Sequence, residues 1–187
     1  MRVISGEARG RPLRVPRNQA RTRPMADKIR EAAFSSMESL GVAPDTVLDL
    51  YAGSGAVGIE ALSRGAAAAL FVDRDRIACQ TVRRNLQDIG FEDRGRVVQT
   101  TVERVLSPAR EQYDLIILDP PYADPDIIAT IELIDASGVA RSGSILLLGH
   151  WPRLDVPERV GRFHALRRRC HGDSCFAIFE WIDRDEE

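Results

Sequence analysis

Short, nearly continuous apolar runs recur through the middle of the chain, each followed by a stretch whose apolar positions return every three or four residues. Val47-Leu48-Asp49-Leu50, Ala68–Asp73, Arg96-Val97-Val98-Gln99, residues 113–118 and Ser144-Ile145-Leu146-Leu147-Leu148 read as strands. The stretches between them predict helices over 56–63, 76–87, 103–107 and 125–136, the last opened by Asp124 as a cap before Pro125. Strands that are apolar throughout, rather than alternating, are buried on both faces, as parallel strands are. Such alternation of strand and helix implies a doubly wound α/β sheet that binds its ligands at the strands' carboxyl ends.

The two ends break this rhythm. Arg2-Val3-Ile4-Ser5-Gly6 and Arg11-Pro12-Leu13-Arg14-Val15 are short β-like runs joined by a turn at residues 7–10, which predicts a hairpin. After a loop over 16–23, Pro24 suits a first helical turn. Met25, Ile29, Ala32, Ala33, Met37 and Leu40 then share one helical face, before Gly41 and Pro44 end it. At the other end, residues 163–169 and 175–182 predict a hairpin around His171-Gly172-Asp173-Ser174. The expected architecture is a doubly wound, Rossmann-like, seven-stranded and mostly parallel sheet with an N-terminal β-hairpin and helix extension. Its division is 1–40 for the basic extension and 41–187 for the main domain.

Charge adds a partner to this picture. The 187 residues carry a net charge of only −2, yet residues 1–30 hold nine basic side chains and two acids. That segment is +7 and the remainder −9. A basic arm on an acidic body suggests a polyanion, and nucleic acid is favoured over a merely solvated tail. No apolar run nears the roughly 20 residues needed to span a bilayer. The arginine-rich start lacks the apolar stretch of a secretory signal. Cys79, Cys170 and Cys175 suggest no disulfide framework and a reducing cytoplasm. Cys170-His171 with Cys175 matches no standard zinc spacing, so no metal is expected.

Two motifs carry chemistry. Gly53-x-Gly55-x-x-Gly58 lies between the first strand and its helix, where glycines let a backbone approach a ligand closely. Asp73 ends the second strand, where an acid can accept ribose hydroxyls; its plainer role is a helix cap. Asp49, four residues before Gly53, disfavours a pyrophosphate and favours an ammonium or sulfonium. The second motif is Asp119-Pro120-Pro121-Tyr122 after residues 113–118. Two prolines stop the strand and stiffen the turn. An acid, backbone carbonyls and an aromatic face then converge where a planar base bearing an NH2 group fits. The plainer role is a strand terminator with a surface tyrosine.

With both motifs present, the chain resembles class I methyltransferases that use S-adenosylmethionine (SAM). More narrowly, it resembles the RsmD family, which methylates a guanine N2 in bacterial 16S ribosomal RNA. The resemblance runs through Arg9-Gly10-Arg11-Pro12-Leu13, Thr22-Arg23-Pro24, Asp27-Lys28-Ile29-Arg30-Glu31, the glycine loop, residues 60–66, Asp119 to Tyr122 and Gly172-Asp173-Ser174. It implies donor contacts at Asp49, Tyr51, Gly53, Ser54, Gly55, Asp73, Arg74, Thr101 and Val102. It implies a catalytic turn at Asp119, Pro120, Pro121 and Tyr122, and phosphate contacts at Arg9, Arg11, Arg21, Arg23 and Arg30. The implied substrate is 16S ribosomal RNA within the small subunit or its precursor; a monomer is the default oligomeric state and the cytoplasm the expected location. Met25, Thr101 and Gly149-His150 depart from the family pattern. Three alternatives stay open: another amine substrate (adenine N6 or a protein glutamine), an NAD-dependent oxidoreductase, and a non-catalytic RNA-binding module.

Overall fold

The computed structural model describes residues 1–16, 25–107, 111–120 and 126–183. Five parallel strands form one side of a single sheet: β1 (Thr46–Leu50), β2 (Ala68–Asp73), β3 (Gly95–Gln99), β4 (Leu115–Leu118) and β5 (Ile145–His150). Three antiparallel strands complete it: β6 (Arg159–Val160), β7 (Phe163–His171) and β8 (Ser174–Trp181). The order is β3-β2-β1-β4-β5-β8-β7-β6. The sheet thus has eight strands, not the expected seven. The extra one is two residues long and borders β7, too short to leave a periodic signal.

Helices cover both faces. α1 (Asp27–Ser39), α2 (Ala56–Ser63) and α3 (Arg76–Ile89) bury Ile29, Phe34, Met37, Ile59, Leu62, Val82 and Leu86 against one face. α4 (Val102–Leu106) and α5 (Ile127–Ser137) bury Val102, Leu106, Ile127, Ile131 and Ile134 against the other. Burial on both sides explains why β4 and residues 145–148 of β5 are apolar throughout. α3 opens on Asp75, whose carboxylate accepts the N–H of Ile77 (2.8 Å), and ends on Gly90 at φ 80°. The expected caps at Pro24 and Asp124 lie outside the described residues. Leu40 falls off the buried face of α1, as its exposed C-cap.

The N-terminal segment doubles back as expected, with a single antiparallel bridge, Arg2 to Pro12, in place of two regular strands. Val3 N–H donates to the Arg11 carbonyl (3.0 Å), Gly10 N–H to that of Val3 (2.9 Å) and Leu13 N–H to that of Met1 (3.1 Å), and the backbone is fastened to the body as well. Buried Glu60 accepts the N–H groups of Ile4 (2.8 Å) and Ser5 (3.0 Å). The Ser63 carbonyl accepts Glu7 N–H, and a side chain at Gly6 would collide with that carbonyl. Val3, Ala8 and Leu13 join the core beside α2 and α3.

A second correction concerns the cysteines. Cys170 and Cys175 are joined by a disulfide across the β7–β8 turn, while Cys79 is free and buried. The antiparallel register sets the two residues directly opposite each other. The turn is legible in the sequence, and its register makes them neighbours. No helix among the described residues is long and apolar enough to cross a membrane.

Candidate functional site

Three neighbouring parallel strands each carry an aspartate toward their carboxyl end, on the face covered by α1 and α2. Asp49 of β1 pairs in register with Phe71 of β2 and Ile117 of β4. Asp73 and Asp119 stand two residues beyond those partners. Period-two alternation puts all three carboxylates on one face, Asp49 one pleat deeper and the other two flanking it about 10 Å apart. The strand order turns between β1 and β4, so the cluster marks the crevice where an open sheet of this kind takes its ligand.

Asp49 is 2% exposed, and its Oδ2 accepts the N–H of Gly58 (3.0 Å). Burial pushes its carboxyl well above the usual range, and the charges of Asp119 and Asp73 push it further, against the pull of the Gly58 bond. Gly58 has to be glycine here: an added Cβ would lie 2.5 Å from the Phe71 ring and 2.8 Å from Asp49 Oδ2. The loop before it bends through positive φ at Gly53 (56°), Gly55 (76°) and, without glycine's freedom, Tyr51 (57°). Asp73 holds this loop, accepting Gly53 N–H at Oδ2 (2.9 Å) and Asp75 N–H at Oδ1 (2.8 Å). Ser54 is buried, and its carbonyl accepts from Asn85 (2.8 Å).

A small cleft opens beside the loop, lined by Tyr51, Val72, Asp73, Arg74, Thr100, Thr101, Val102 and Glu103. Five expected donor contacts therefore share one wall. Thr101 caps α4, its hydroxyl oxygen 3.4 Å from the N–H of Arg104, and it also bonds to Glu103, which lowers that carboxyl. Burial of Val102 closes the floor.

Asp119 leaves β4 partly exposed, followed by buried Pro120. Burial of its carboxyl pushes the pKa up to about 6, opposed by the Met25 N–H and by Arg30. Oδ2 accepts that N–H (3.2 Å) at the entry to α1, a helix whose N-cap, Ala26, offers no side-chain acceptor. Oδ1 sits over Gly149 of β5, where any side chain would collide with it. Met25 and Gly149 thus act at the site although only their departure from the family pattern singles them out. Pro121, Tyr122, Arg21 and Arg23 lie outside the described residues.

The arginines divide. Arg9 and Arg11 are exposed, with Arg11 donating to the Asp88 carbonyl. Arg30 is a correction to the expected phosphate set, because it is fully buried. It donates to the Arg2 carbonyl (2.6 Å) and to Asp27 (3.0 Å), and lies 3.6 Å from Glu60. Its place on the inner face of α1, opposite α2, removes it from solvent.

Known proteins fit this geometry. The family model described as "Conserved hypothetical protein 95" matches residues 1–180. "Putative rRNA methyltransferase YlbH" of Bacillus subtilis is 37% identical, over 96% of this chain and 98% of its own length. "Ribosomal RNA small subunit methyltransferase D" of Escherichia coli is 28% identical, over 96% and 89%. The solved structure called "Putative methyltransferase yhhF" from Escherichia coli superposes with a TM-score of 0.84 at 28% identity, over 97% and 98%. With its glycine loop, aspartate cluster and near full-length match, the chain belongs to the Conserved hypothetical protein 95 family, the RsmD family of methyltransferases.

Proposed function

We propose that this protein transfers a methyl group from SAM to the exocyclic N2 of a guanine in small-subunit (16S) ribosomal RNA. The carrying observation is the aspartate cluster, with Asp49 buried between partly exposed Asp73 and Asp119. Three carboxylates on one face, the deepest pushed to a raised pKa by burial and by its neighbours, attract a cation and repel a pyrophosphate. This charge pattern fits SAM and argues against a dinucleotide. Use of SAM also follows from the class I methyltransferase relatives.

Asp49, the loop from Tyr51 to Gly55 and Asp73 would hold the donor's cationic and ribose portions, with Arg74, Thr101 and Val102 beside its adenine. When bound, SAM supplies an activated methyl on a sulfonium. The remaining work falls to the chain's own groups. Asp119 and the Pro120 carbonyl accept the two N–H bonds of the guanine amine and turn its delocalised lone pair toward the methyl. Orientation of this kind can supply up to roughly 7–11 kcal/mol in favourable systems. Tyr122 stacks on the base, and Asp119, with its pKa near neutrality, is suited to take the proton released by the amine.

A guanine inside folded RNA must leave its stack to reach Asp119. Residues 1–40 form the RNA-binding extension, with Arg9, Arg11, Arg21 and Arg23 on phosphates, and residues 41–187 the methyltransferase domain. The substrate is the small subunit or its assembly intermediate, and the enzyme works as a cytoplasmic monomer without a metal. Incubation with labelled SAM and unmodified small subunits, followed by nucleoside analysis, is expected to yield N2-methylguanosine. N6-methyladenosine, or no labelled nucleoside, would overturn the assignment.

A further inference from the structure

A second group of side chains crowds the carboxyl end of β5 and takes no part in the transfer chemistry. Leu118 of β4 pairs with Leu148 of β5, so the chain leaving β5 through Gly149 and His150 to Trp151 emerges beside Asp119. Trp151 is 36% exposed and is the one aromatic among the exposed large apolar side chains of the described residues. Its backbone is held firmly. The Trp151 carbonyl accepts Leu154 N–H (3.2 Å) and the Nδ1–H of His150 (2.9 Å). A carbonyl can only accept, so Nδ1 of His150 carries a proton, and burial pushes the pKa of that ring down. The Arg153 guanidinium stands 5.8 Å from the Trp151 ring centre.

Arg169 lies in the same row. Gly149 pairs with Phe176 and Phe176 with Arg169, which sets Arg169 three strand spacings, about 14 Å, from Asp119. The two also share a face, since Arg167, two residues earlier, donates to Ser39 of α1 (2.7 Å). Arg168 turns to the other face and pairs with Glu158 (3.2 Å). Among the described residues no carboxylate pairs with Arg153 or Arg169. An exposed indole on a braced turn, with the Arg153 guanidinium beside it and Arg169 on the sheet face that holds Asp119, suits an unstacked base with its phosphates better than an apolar peptide, which would need a broader patch. Extruding a target nucleotide leaves its neighbour unstacked and in need of such a surface.

We propose that Trp151 stacks an unpaired base flanking the target nucleotide, while Arg153 and Arg169 hold adjacent phosphates. The inference rests on the RNA reading above and names how that site grips its substrate. Trp181, the other tryptophan, is buried and bonded to Asp135, so fluorescence quenching by an added ligand reports on Trp151. A short single-stranded oligoribonucleotide is expected to quench the full-length protein, its duplex much less, and Trp151→Phe to remove the response. Trp151→Ala is expected to raise Kd for that oligonucleotide, and KM for ribosomal RNA, about 5- to 100-fold, with Trp151→Phe within a few-fold of wild type. The rise in Tm on adding SAM reports folding and is expected to persist in both variants. Arg153→Glu and Arg169→Glu are expected to lower the salt dependence of binding. Absence of quenching by the single strand, equal quenching by the duplex, or unchanged Kd in Trp151→Ala overturns the proposal. Quenching without methyl transfer would sink the function assigned above and leave the stacking surface standing; transfer without quenching would do the reverse.

Discussion

Asp119 is built to be poised rather than stable. Its carboxyl titrates near 6, and an ionised oxygen is the better acceptor for an amine N–H. The methyl-transfer rate is therefore expected to fall as pH drops through about 6, and a pH profile of kcat that stays flat from 8 to 5 would contradict this. The same shift carries a stability cost. A carboxyl whose pKa is raised by folding favours the folded state below the unfolded carboxylate range, and that benefit is lost as pH rises through the folded value. Asp49 has the same sign, so its raised pKa leaves the fold less stable at pH 7 than below the carboxylate range. Asp49→Asn is expected to raise Tm by a few degrees at pH 7, with the gain vanishing near pH 3, and to weaken the SAM-induced rise in Tm; melting curves at both pH values read this directly. Gly149→Ala puts a methyl against Asp119 Oδ1. A displacement of about 1 Å costs on the order of 100-fold in rate, so a large fall in kcat with unchanged SAM affinity is the expected result.

At the scale of elements, the sequence carries the strands well, because each apolar run ends in an aspartate or a turn. Asp49, Asp73 and Asp119 can be read as site residues for that reason. Contacts between elements leave no periodic trace. Nothing in the neighbourhood of Asn85 announces that it clamps two distant segments, yet its amide accepts Arg14 N–H (2.8 Å) and donates to the carbonyls of Arg14 (3.0 Å) and Ser54 (2.8 Å). The Met25 bond to Asp119 spans 94 positions and is equally silent. The β7–β8 turn is legible, whereas the pairing of Cys170 with Cys175 follows only from its register. Removing a buried side chain that satisfies three backbone groups strands them without partners. Asn85→Ala is expected to cost about 1–3 kcal/mol and to weaken SAM binding through the glycine loop, as measured by urea unfolding and SAM titration.

Over the whole molecule, charge and chemistry are separated. The basic residues concentrate at the N-terminal end, and the acidic cluster sits at the sheet's crevice. Arg9 and Arg11 lie on the surface of a loop that the core holds in place. Reversing both charges is expected to weaken RNA binding and lower the slope of log K against log salt by roughly 0.7 for each single-strand phosphate left without its arginine, without moving SAM affinity. Unchanged RNA affinity would show that this surface does not meet the substrate.

The fastening of that loop also reverses an order in time. Residues 4, 5 and 14 are synthesised before their hydrogen-bond partners at Glu60 and Asn85, which lie 55 to 71 positions downstream. This segment is thus made before the residues that fix it. Its bonds to the body can form only once α2 and α3 are in place behind it.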